Sequence, residues 1–269
     1  MIRSSSVRLV SAPHRVVIPA RYASTRLPGK VLLPIAGRPM LHWVCERARA
    51  STADEVIVAA DDERIAAAAR ACGVQVVMTS TGHGSGTDRI AEVAWLRGWA
   101  AEDIVVNLQA DEPLMPPVLI DQVCELLEAH AHAAIATLAS PVGSLHEFLD
   151  PHVVKVVADR RERALYFSRA PIPWDRDGAS ADLATQRSFA GARRHLGLYA
   201  YRVGALQRLA ALAPSPHELR EKLEQLRALE NGFEIVVANS REPPGADVNT
   251  SKDLERVRAL LEAELGTGA

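Results

Sequence analysis

The chain has 269 residues, 48% of them hydrophobic, and its 31 Lys and Arg against 33 Asp and Glu give a net charge of -2. This length suits one large globular domain or two small ones, and the near-neutral charge argues against a general nucleic-acid binder. No apolar run approaches the roughly 20 residues of a membrane-spanning helix, so we expect a cytoplasmic protein without membrane partners. The three cysteines form no Cys-x-x-Cys pair, which predicts free thiols in a reducing compartment.

The first 14 residues carry two arginines, four serines and no acidic residue. This composition has some likeness to a transit peptide, but it lacks the long apolar core of a secretory signal. We predict a disordered leader over residues 1–14, with a transit peptide as the alternative.

Strands and helices alternate from the leader to about residue 140. The apolar and helical periodicities predict strands at 16–20, 55–60, 74–78, 104–108 and 133–138, and helices at 39–50, 62–72, 87–99 and 116–130. This rhythm is typical of an α/β fold with a mostly parallel central sheet and helices on both faces. Residues 15–140 are therefore predicted to form a nucleotide-binding α/β part.

The pattern changes after about Pro141. Strand-like runs at 153–157 and 164–167 flank a charged turn and predict a hairpin, followed by a polar loop over 175–186 and a strand at 196–201. Helices at 203–212 and 217–231, a strand at 233–238 and a last helix from Thr250, capped by Asp253, complete the chain. We predict a small β subdomain over 141–202 and a C-terminal part over 203–269 that completes the main domain.

The loop from Arg21 to Lys30 is the most informative segment, because it places Arg21, Arg26 and Lys30 at the end of a predicted strand. A Walker A loop is excluded, since Ser24 stands where its first glycine belongs and Val31 follows the lysine. Three spaced glycines, which a dinucleotide site needs, are missing as well. Three positively charged side chains at a strand end indicate a polyanionic ligand such as a triphosphate. The alternative is a loop whose charges are solvated.

Carboxylates follow the predicted strand at 104–108. Asp111 and Glu112 are expected at the same sheet edge as the cationic loop, where Asp111 suits a Mg²⁺ ion opposite the cations. A solvated turn before Pro113 explains the two acids equally well.

Two further segments offer polar groups near predicted helix starts. A predicted helix begins near Ser85, Gly86 and Thr87. These residues can either contact a nucleotide base at close range or only cap the helix. Asp247 and Asn249 alternate before the last helix, so either is a candidate second oxygen ligand or an N-cap.

The β-rich middle and the segment after it offer donors for a ligand rich in carboxylate and hydroxyl groups. The alternation predicts that His195, Gly197 and Tyr199 share one strand face. Taken singly, such residues are more often structural than functional. The candidates are Arg169, His195, Tyr199, Glu224 and Gln225.

The segment Val17 to Lys30 resembles the signature of the 3-deoxy-manno-octulosonate (KDO) cytidylyltransferases, also called CMP-KDO synthetases. The likeness continues through 83–89, 109–113, 164–177 and 194–201, and it covers nearly all of residues 15–261. The first loop is common to cytidylyltransferases in general. The segments Tyr166 to Arg169 and His195 to Tyr199 point more narrowly to KDO.

The resemblance implies a Rossmann-like nucleotide-diphospho-sugar transferase fold, a homodimer built on the β subdomain, and a Mg²⁺-dependent reaction. In that reaction CMP passes from CTP to the anomeric C2 hydroxyl of KDO, with release of pyrophosphate, for lipopolysaccharide biosynthesis. The implied catalytic residues are Arg21, Lys30 and Asp111. The implied nucleotide site comprises Ala20, Arg21, Arg26, Lys30, Ser85, Gly86, Thr87 and Gln109. The implied sugar site comprises Arg169, His195, Tyr199, Glu224 and Gln225, and the implied metal site Asp111 with Asn249 or Asp247.

The chain departs from the family pattern at two positions. Ala110 replaces a glycine, and Asn249 replaces an aspartate, so that Asp247 is a rival for the second metal ligand. Two other functions stay open: a cytidylyltransferase for a related acidic sugar, 8-amino-KDO or sialate, and, because of Asn249, a CTP-binding protein without catalysis.

Overall fold

The computed structural model describes residues 14–266, except for 24–26, 28 and 179–184. The predicted leader, all but residue 14, and the cation Arg26 lie outside the described residues, as does half of the predicted polar loop. The strands are β1 (His14–Ala20), β2 (Pro34–Ile35), β3 (Arg38–Pro39), β4 (Glu55–Ala60), β5 (Gln75–Met78), β6 (Ile104–Asn107), β7 (Ile135–Pro141), β8 (Lys155–Ala158), β9 (Ala164–Ser168), β10 (Arg193–Arg202) and β11 (Ile235–Asn239).

The helices are α1 (Met40–Arg49), α2 (Glu63–Ala71), α3 (Gly86–Leu96), α4 (Pro117–Ala129), α5 (Leu145–Leu149), α6 (Val203–Ala210), α7 (Pro216–Glu221), α8 (Gln225–Glu230) and α9 (Ser251–Gly266). A short 3-10 helix spans Lys30–Leu32. Across the described ranges, no helix is both long enough and apolar enough to cross a membrane.

One predicted helix is wrong. The pattern over 217–231 predicted a single helix, but the structure has two, α7 and α8, separated at Lys222. Lys222 adopts φ 55°, in the left-handed region, where a helix cannot continue. The break places Glu224 and Gln225 at the start of α8.

The central sheet confirms the α/β prediction. Its main path runs in the order β11-β7-β10-β6-β1-β4-β5, and the β8–β9 hairpin attaches to β10. The pairs β1–β4, β1–β6, β4–β5 and β7–β11 are parallel. The exception is β10, which is antiparallel to both β6 and β7. This strand was predicted within the β subdomain, but it lies in the middle of the main sheet.

Both faces of the sheet are buried, as expected for parallel strands between helices. Successive side chains of β1 alternate between two apolar layers: Val16 and Ile18 pack into one and Val17 into the other. The first layer includes residues of α1, α2, α4 and α9, and the second includes residues of α3, α6 and α8. The strand ends, rather than the sheet faces, are therefore left for ligands.

A close backbone approach fixes the segment before α9. A Cβ atom built on Gly245 would lie 2.0 Å from the carbonyl oxygen of Leu114, so only glycine fits without movement. Three residues later, the backbone N–H of Val248 donates to the carbonyl of Asp111 at 2.9 Å. These contacts hold Asp247 and Asn249 beside the loop that carries Asp111.

Gly245→Ala should destabilise the protein by about 1–3 kcal/mol, because the added methyl group must push two backbone segments apart. Urea unfolding monitored by circular dichroism measures the change. Gly266→Ala is the matched control, since its new Cβ would meet nothing within 4 Å. Equal stability of the two variants would show that the approach at Leu114 is looser than described.

Candidate active site

The site lies where two neighbouring parallel strands end. β1 ends at Ala20 and β6 at Asn107, and the two strands pair in parallel with Val17 opposite Asn107. From β1 the chain continues to β4 and β5 on one side and returns to β6 on the other. In open α/β sheets, such a reversal of strand order leaves a crevice at the carboxyl edge for ligands.

A cleft of about 130 Å³ opens at this edge. Four of the predicted nucleotide-site or catalytic residues line it together: Arg21, Ser85, Gly86 and Gln109. Gly86 lies so close to Pro19 that a Cβ atom there would be 3.2 Å from the proline ring. The structure thus unites the end of β1, the start of α3 and the loop after β6 around one small polar cavity.

The cleft also contains an arginine that sequence reasoning did not assign. Arg89 lines the cavity, although its side chain is only 3% exposed. Its guanidinium donates to Asp61 at 3.0 Å and also to Thr79. The other oxygen of Asp61 accepts from the backbone N–H of Tyr22 at 2.9 Å, which ties Arg89 to the cationic loop. Since Asp61 is distant in sequence, the signals for Arg89 were its charge on the apolar face of a predicted helix and its place in the segment 83–89, where the likeness to the family continues.

Lys30 is held in the site by two hydrogen bonds. Its ammonium nitrogen is 2.7 Å from Oδ2 of Asp111 and 2.9 Å from the carbonyl oxygen of Val248. Gly29 directs the chain inward with φ 65°, and its N–H donates to the carbonyl of Tyr22. The Lys30 side chain is only 15% exposed. For Lys30, the solvated-loop alternative is therefore wrong.

Two further carboxylates, Glu112 and Asp247, lie near Asp111. Burial and the negative charges of Asp111 and Asp247 raise the pKa of Glu112 to about 8. Loss of water and the charge of Asp111 likewise raise the pKa of Asp247. The side-chain amide of Asn249 donates to Oδ2 of Asp247 at 2.6 Å. Asp247 and Asn249, which the sequence offered as alternatives, therefore lie together.

This arrangement fits a hard dication. Mutually repelling carboxylates and an amide are the oxygen donors that Mg²⁺ prefers, and Lys30 contacts Oδ2 of Asp111 rather than Oδ1. The described part of the chain contains no cluster of three or more His, Cys, Asp and Glu side chains arranged to enclose a metal. A bound Mg²⁺ would take its other ligands from phosphate and water.

The start of α3 is joined to the start of α8. Ser85 caps α3 through a reciprocal capping box with Asp88. Its hydroxyl also donates to Glu224 at 3.1 Å, and Thr87 donates to the other oxygen of Glu224 at 2.8 Å. Burial raises the pKa of Glu224. Capping alone therefore does not account for Ser85 and Thr87, and Glu224 links the predicted nucleotide and sugar residues.

His195 and Tyr199 share a face of β10, as predicted. Their rings lie 5.1 Å apart, and the His195 ring meets Phe167 edge to face at 5.0 Å. Between them the pairing with β7 shifts, so that Leu196 faces Leu138 but Tyr199 faces Thr137. Over this stretch β10 has two residues more than β7. Because that number is even, the alternation of side chains along β10 is preserved, and His195 and Tyr199 stay on the same face.

The Thr137 hydroxyl fills this bulge, with the carbonyl oxygens of Leu196 and Leu198 at 3.1 and 2.8 Å and His195 Nε2 at 3.0 Å. Burial and the nearby Arg194 lower the pKa of His195 to about 3, so its ring is neutral. A neutral imidazole can form a hydrogen bond with a hydroxyl group, and it carries no charge that would repel a nearby cation.

Arg169 and Gln225 are placed differently. Among the described residues, the guanidinium of Arg169 donates to backbone carbonyls, at 2.6 Å to Glu221 and 2.9 Å to Pro151. The carboxylate of Glu221 accepts from the N–H of Arg169 and from the Ser168 hydroxyl. These bonds hold Arg169 against α7 rather than against His195. Gln225 is 9% exposed, at the start of α8.

Comparison with known proteins decides the family. The profile of the cytidylyltransferases matches residues 15–235. A 3-deoxy-manno-octulosonate cytidylyltransferase from Thioalkalivibrio sulfidiphilus is 55% identical, over 93% of this chain and 99% of its own length. One from Pseudomonas fluorescens is 52% identical, over 94% of this chain and 100% of its own length. The chain belongs to the 3-deoxy-manno-octulosonate cytidylyltransferase family. It is therefore a nucleotidyltransferase, as predicted.

Solved structures agree with this family assignment. A CMP:2-keto-3-deoxy-manno-octonic acid synthetase complexed with CTP superposes with a TM-score of 0.84 at 40% identity, covering 94% of this chain and 100% of its own. A 4-diphosphocytidyl-2C-methyl-D-erythritol synthase shares the fold, with a TM-score of 0.61 at 15% identity, over 92% of this chain and 99% of its own. The Rossmann-like nucleotidyltransferase fold predicted for this cytidylyltransferase is confirmed.

Proposed function

We propose that the chain transfers CMP from CTP to the C2 hydroxyl of KDO in a Mg²⁺-dependent reaction that releases pyrophosphate. The observation that carries this proposal is the contact of Lys30 with Asp111 at the edge of the cleft lined by Arg21 and Gln109. The contact brings a cation and a carboxylate, the proposed Mg²⁺ ligand, together where two strands end. The CTP complex of the related synthetase supports the choice of nucleotide.

The cleft is the nucleotide half of the proposed site. Arg21 and Lys30 balance the triphosphate charge, and Arg26, outside the described residues, remains a predicted third cation. Ala20, Ser85, Gly86, Thr87 and Gln109 form the proposed surroundings of the cytidine. Gln109 is oriented by a hydrogen bond from its amide to Asn107 at 2.8 Å, which fixes the polar edge it presents.

The proposed sugar half lies along β10 and α8. Neutral His195 and the phenol of Tyr199 offer hydrogen bonds to hydroxyl groups, and Glu224 and Gln225 are near the start of α8. Arg169 is the proposed partner of the sugar carboxylate. Its two carbonyl contacts would then serve to orient it.

Asp111 and Asp247 are the proposed carboxylate ligands of Mg²⁺. The Asn249 amide nitrogen donates to Asp247, so Asn249 presents its amide oxygen as a neutral ligand or orients Asp247. When bound, Mg²⁺ would offset phosphate charge and lower the pKa of the attacking hydroxyl. In this proposal the carboxylate of Asp247 takes the place of the aspartate that the family has at position 249.

The protein's own contribution is charge and orientation. Both substrates are anionic, so the C2 hydroxyl approaches the α-phosphorus against repulsion. Arg21 and Lys30 offset this repulsion and stabilise the charge that develops on the phosphate and pyrophosphate oxygens. The reaction needs no covalent enzyme intermediate, since the C2 hydroxyl can attack the α-phosphorus directly, in line with the departing pyrophosphate.

We further propose a homodimer formed through the β8–β9 hairpin and a role in lipopolysaccharide biosynthesis. Leu165 on β9 is 61% exposed, which supports the hairpin as an interface. Analytical ultracentrifugation of the full chain measures the oligomeric state.

Pyrophosphate release from CTP, measured with KDO, 8-amino-KDO and sialate as separate acceptors, tests the function. We expect turnover with KDO that requires Mg²⁺ and CTP. A higher rate with 8-amino-KDO or sialate would assign the related acidic sugar instead. Binding of CTP without turnover on any acceptor would contradict the proposal and favour a binding protein.

Lys30→Ala should lower kcat by about 10²–10³-fold, because Lys30 faces the charge that develops on phosphate. Lys252→Ala is the matched control: this lysine is exposed on α9, and its loss should leave the rate unchanged. Unfolding curves of both variants separate a catalytic effect from a loss of folded protein. A near-normal rate for Lys30→Ala would make the Asp111 contact merely structural.

Asp247→Ala should raise the Mg²⁺ concentration for half-maximal rate by at least about tenfold, since a metal ligand or its partner is lost. Glu255→Gln, on the exposed side of α9, removes one charge nearby without touching the site and should have no effect. Asn249→Asp should retain activity. An unchanged Mg²⁺ dependence of Asp247→Ala would leave Asn249 as the ligand beside Asp111.

A further inference from the structure

Two of the three cysteines lie together between α1 and α2. Cys45 is buried on α1, and Cys72 follows the last residue of α2 and is half-exposed. The two helices pack against each other, and the two thiols are within hydrogen-bonding reach. Cys124 is buried on α4.

A histidine completes the group. His42 precedes Cys45 by three residues, so both side chains project from the same face of α1. Its Nδ1 is 3.3 Å from Sγ of Cys72. Its other ring nitrogen, Nε2, lies 3.0 Å from a carboxylate oxygen of Glu46 and 2.7 Å from Arg38. Because a guanidinium only donates hydrogen bonds, Arg38 donates to Nε2, which leaves the ring proton on Nδ1, facing the sulfur of Cys72.

The surroundings make the two thiols unequal. The hydrogen bond from Cys45 and the contact with His42 lower the pKa of Cys72, which favours the thiolate. The same hydrogen bond and burial raise the pKa of Cys45, which favours the thiol. Burial and nearby acids raise the pKa of Cys124 to about 12. A partly exposed cysteine with a lowered pKa beside a buried cysteine with a raised pKa is the arrangement of an attacking and a resolving cysteine.

We propose that Cys72 and Cys45 are an oxidisable pair, in which a hydroperoxide oxidises Cys72 and Cys45 then closes an intramolecular disulfide between α1 and α2. The geometry that carries this proposal is the position of the partly exposed Cys72, whose sulfur is 3.3 Å from the His42 ring, beside the buried Cys45. The proposal is independent of the proposed function.

The two steps balance. The Cys72 thiolate attacks one oxygen of the hydroperoxide, the O–O bond breaks, and protonation of the leaving oxygen gives an alcohol or water and a Cys72 sulfenic acid. Cys45 then attacks the sulfenic sulfur, the S–O bond breaks, and one water leaves with the proton of Cys45. The hydroperoxide is reduced, and the two cysteines are oxidised by two electrons in all. A dithiol restores both thiols.

The pair is remote from the cleft. α2 leaves the carboxyl end of β4 and runs back, so Cys72 lies at the opposite edge of the sheet, just before β5 begins at Gln75. Replacing either cysteine by serine should therefore leave cytidylyl transfer unchanged. This separates the outcome of the oxidation test from that of the activity test.

Treatment of the full chain with a small excess of hydrogen peroxide, followed by alkylation, proteolysis and mass spectrometry, tests the proposal. We expect a peptide pair linked through Cys45 and Cys72, and we expect it to disappear on reduction. Cys45→Ser should stop at a Cys72 sulfenic acid that dimedone traps. Cys124→Ser, the matched control, should form the linked pair as the unaltered chain does.

Alkylation before oxidation gives a second readout. Iodoacetamide at neutral pH should modify Cys72 at least about a hundredfold faster than Cys124, because the thiolate is the nucleophile. His42→Phe should slow the reaction at Cys72 and leave that at Cys124 unchanged. Equal rates at the two cysteines, or no Cys45–Cys72 linked peptide from folded protein, would overturn the proposal.

Discussion

The parallel pairing of β1 with β6 is the constraint on which the site depends. It brings the chain after Ala20 and the chain after Asn107 to the same edge of the sheet, although they are far apart in sequence. Lys30 and Asp111 can then meet at 2.7 Å. The apolar alternation along β1, buried on both faces, fixes this register, because a shift of one residue would exchange the two layers.

Charge at this edge falls into two groups. Arg21, Lys30 and the buried Arg89 supply positive charge, while Asp111, Glu112 and Asp247 bring three acidic side chains close together. Gathering carboxylates out of water costs free energy, as the raised pKa values of Glu112 and Asp247 show. Such an arrangement is expected at the proposed binding site for a cation and a polyanion.

A chain of hydrogen bonds also connects Gln109, which lines the cleft, with Glu224 at the start of α8. Gln109 donates to Asn107, and Asn107 and Thr87 both hydrogen-bond the buried Tyr201 of β10. Thr87 in turn donates to Glu224. The antiparallel insertion of β10 next to β6 makes this chain possible, because it carries Tyr201 and Tyr199 to the same region as α3. A change at Glu224 or Tyr201 can therefore reach Gln109 through this chain of hydrogen bonds.

The sequence by itself determined the α/β class, most strands and helices, and the cationic loop and carboxylate pair, since these depend on local periodicity and residue type. It misplaced β10, because antiparallel insertion into a parallel sheet leaves no mark on a strand's own pattern. It predicted α7 and α8 as one helix, because the residue in the left-handed conformation between them is Lys222 and not a glycine, which would have marked the break. The buried Arg89, the contact of Asn249 with Asp247 and the Cys45–Cys72–His42 group were decided only by tertiary structure. Each depends on a distance between residues on separate elements, which packing of the whole chain sets.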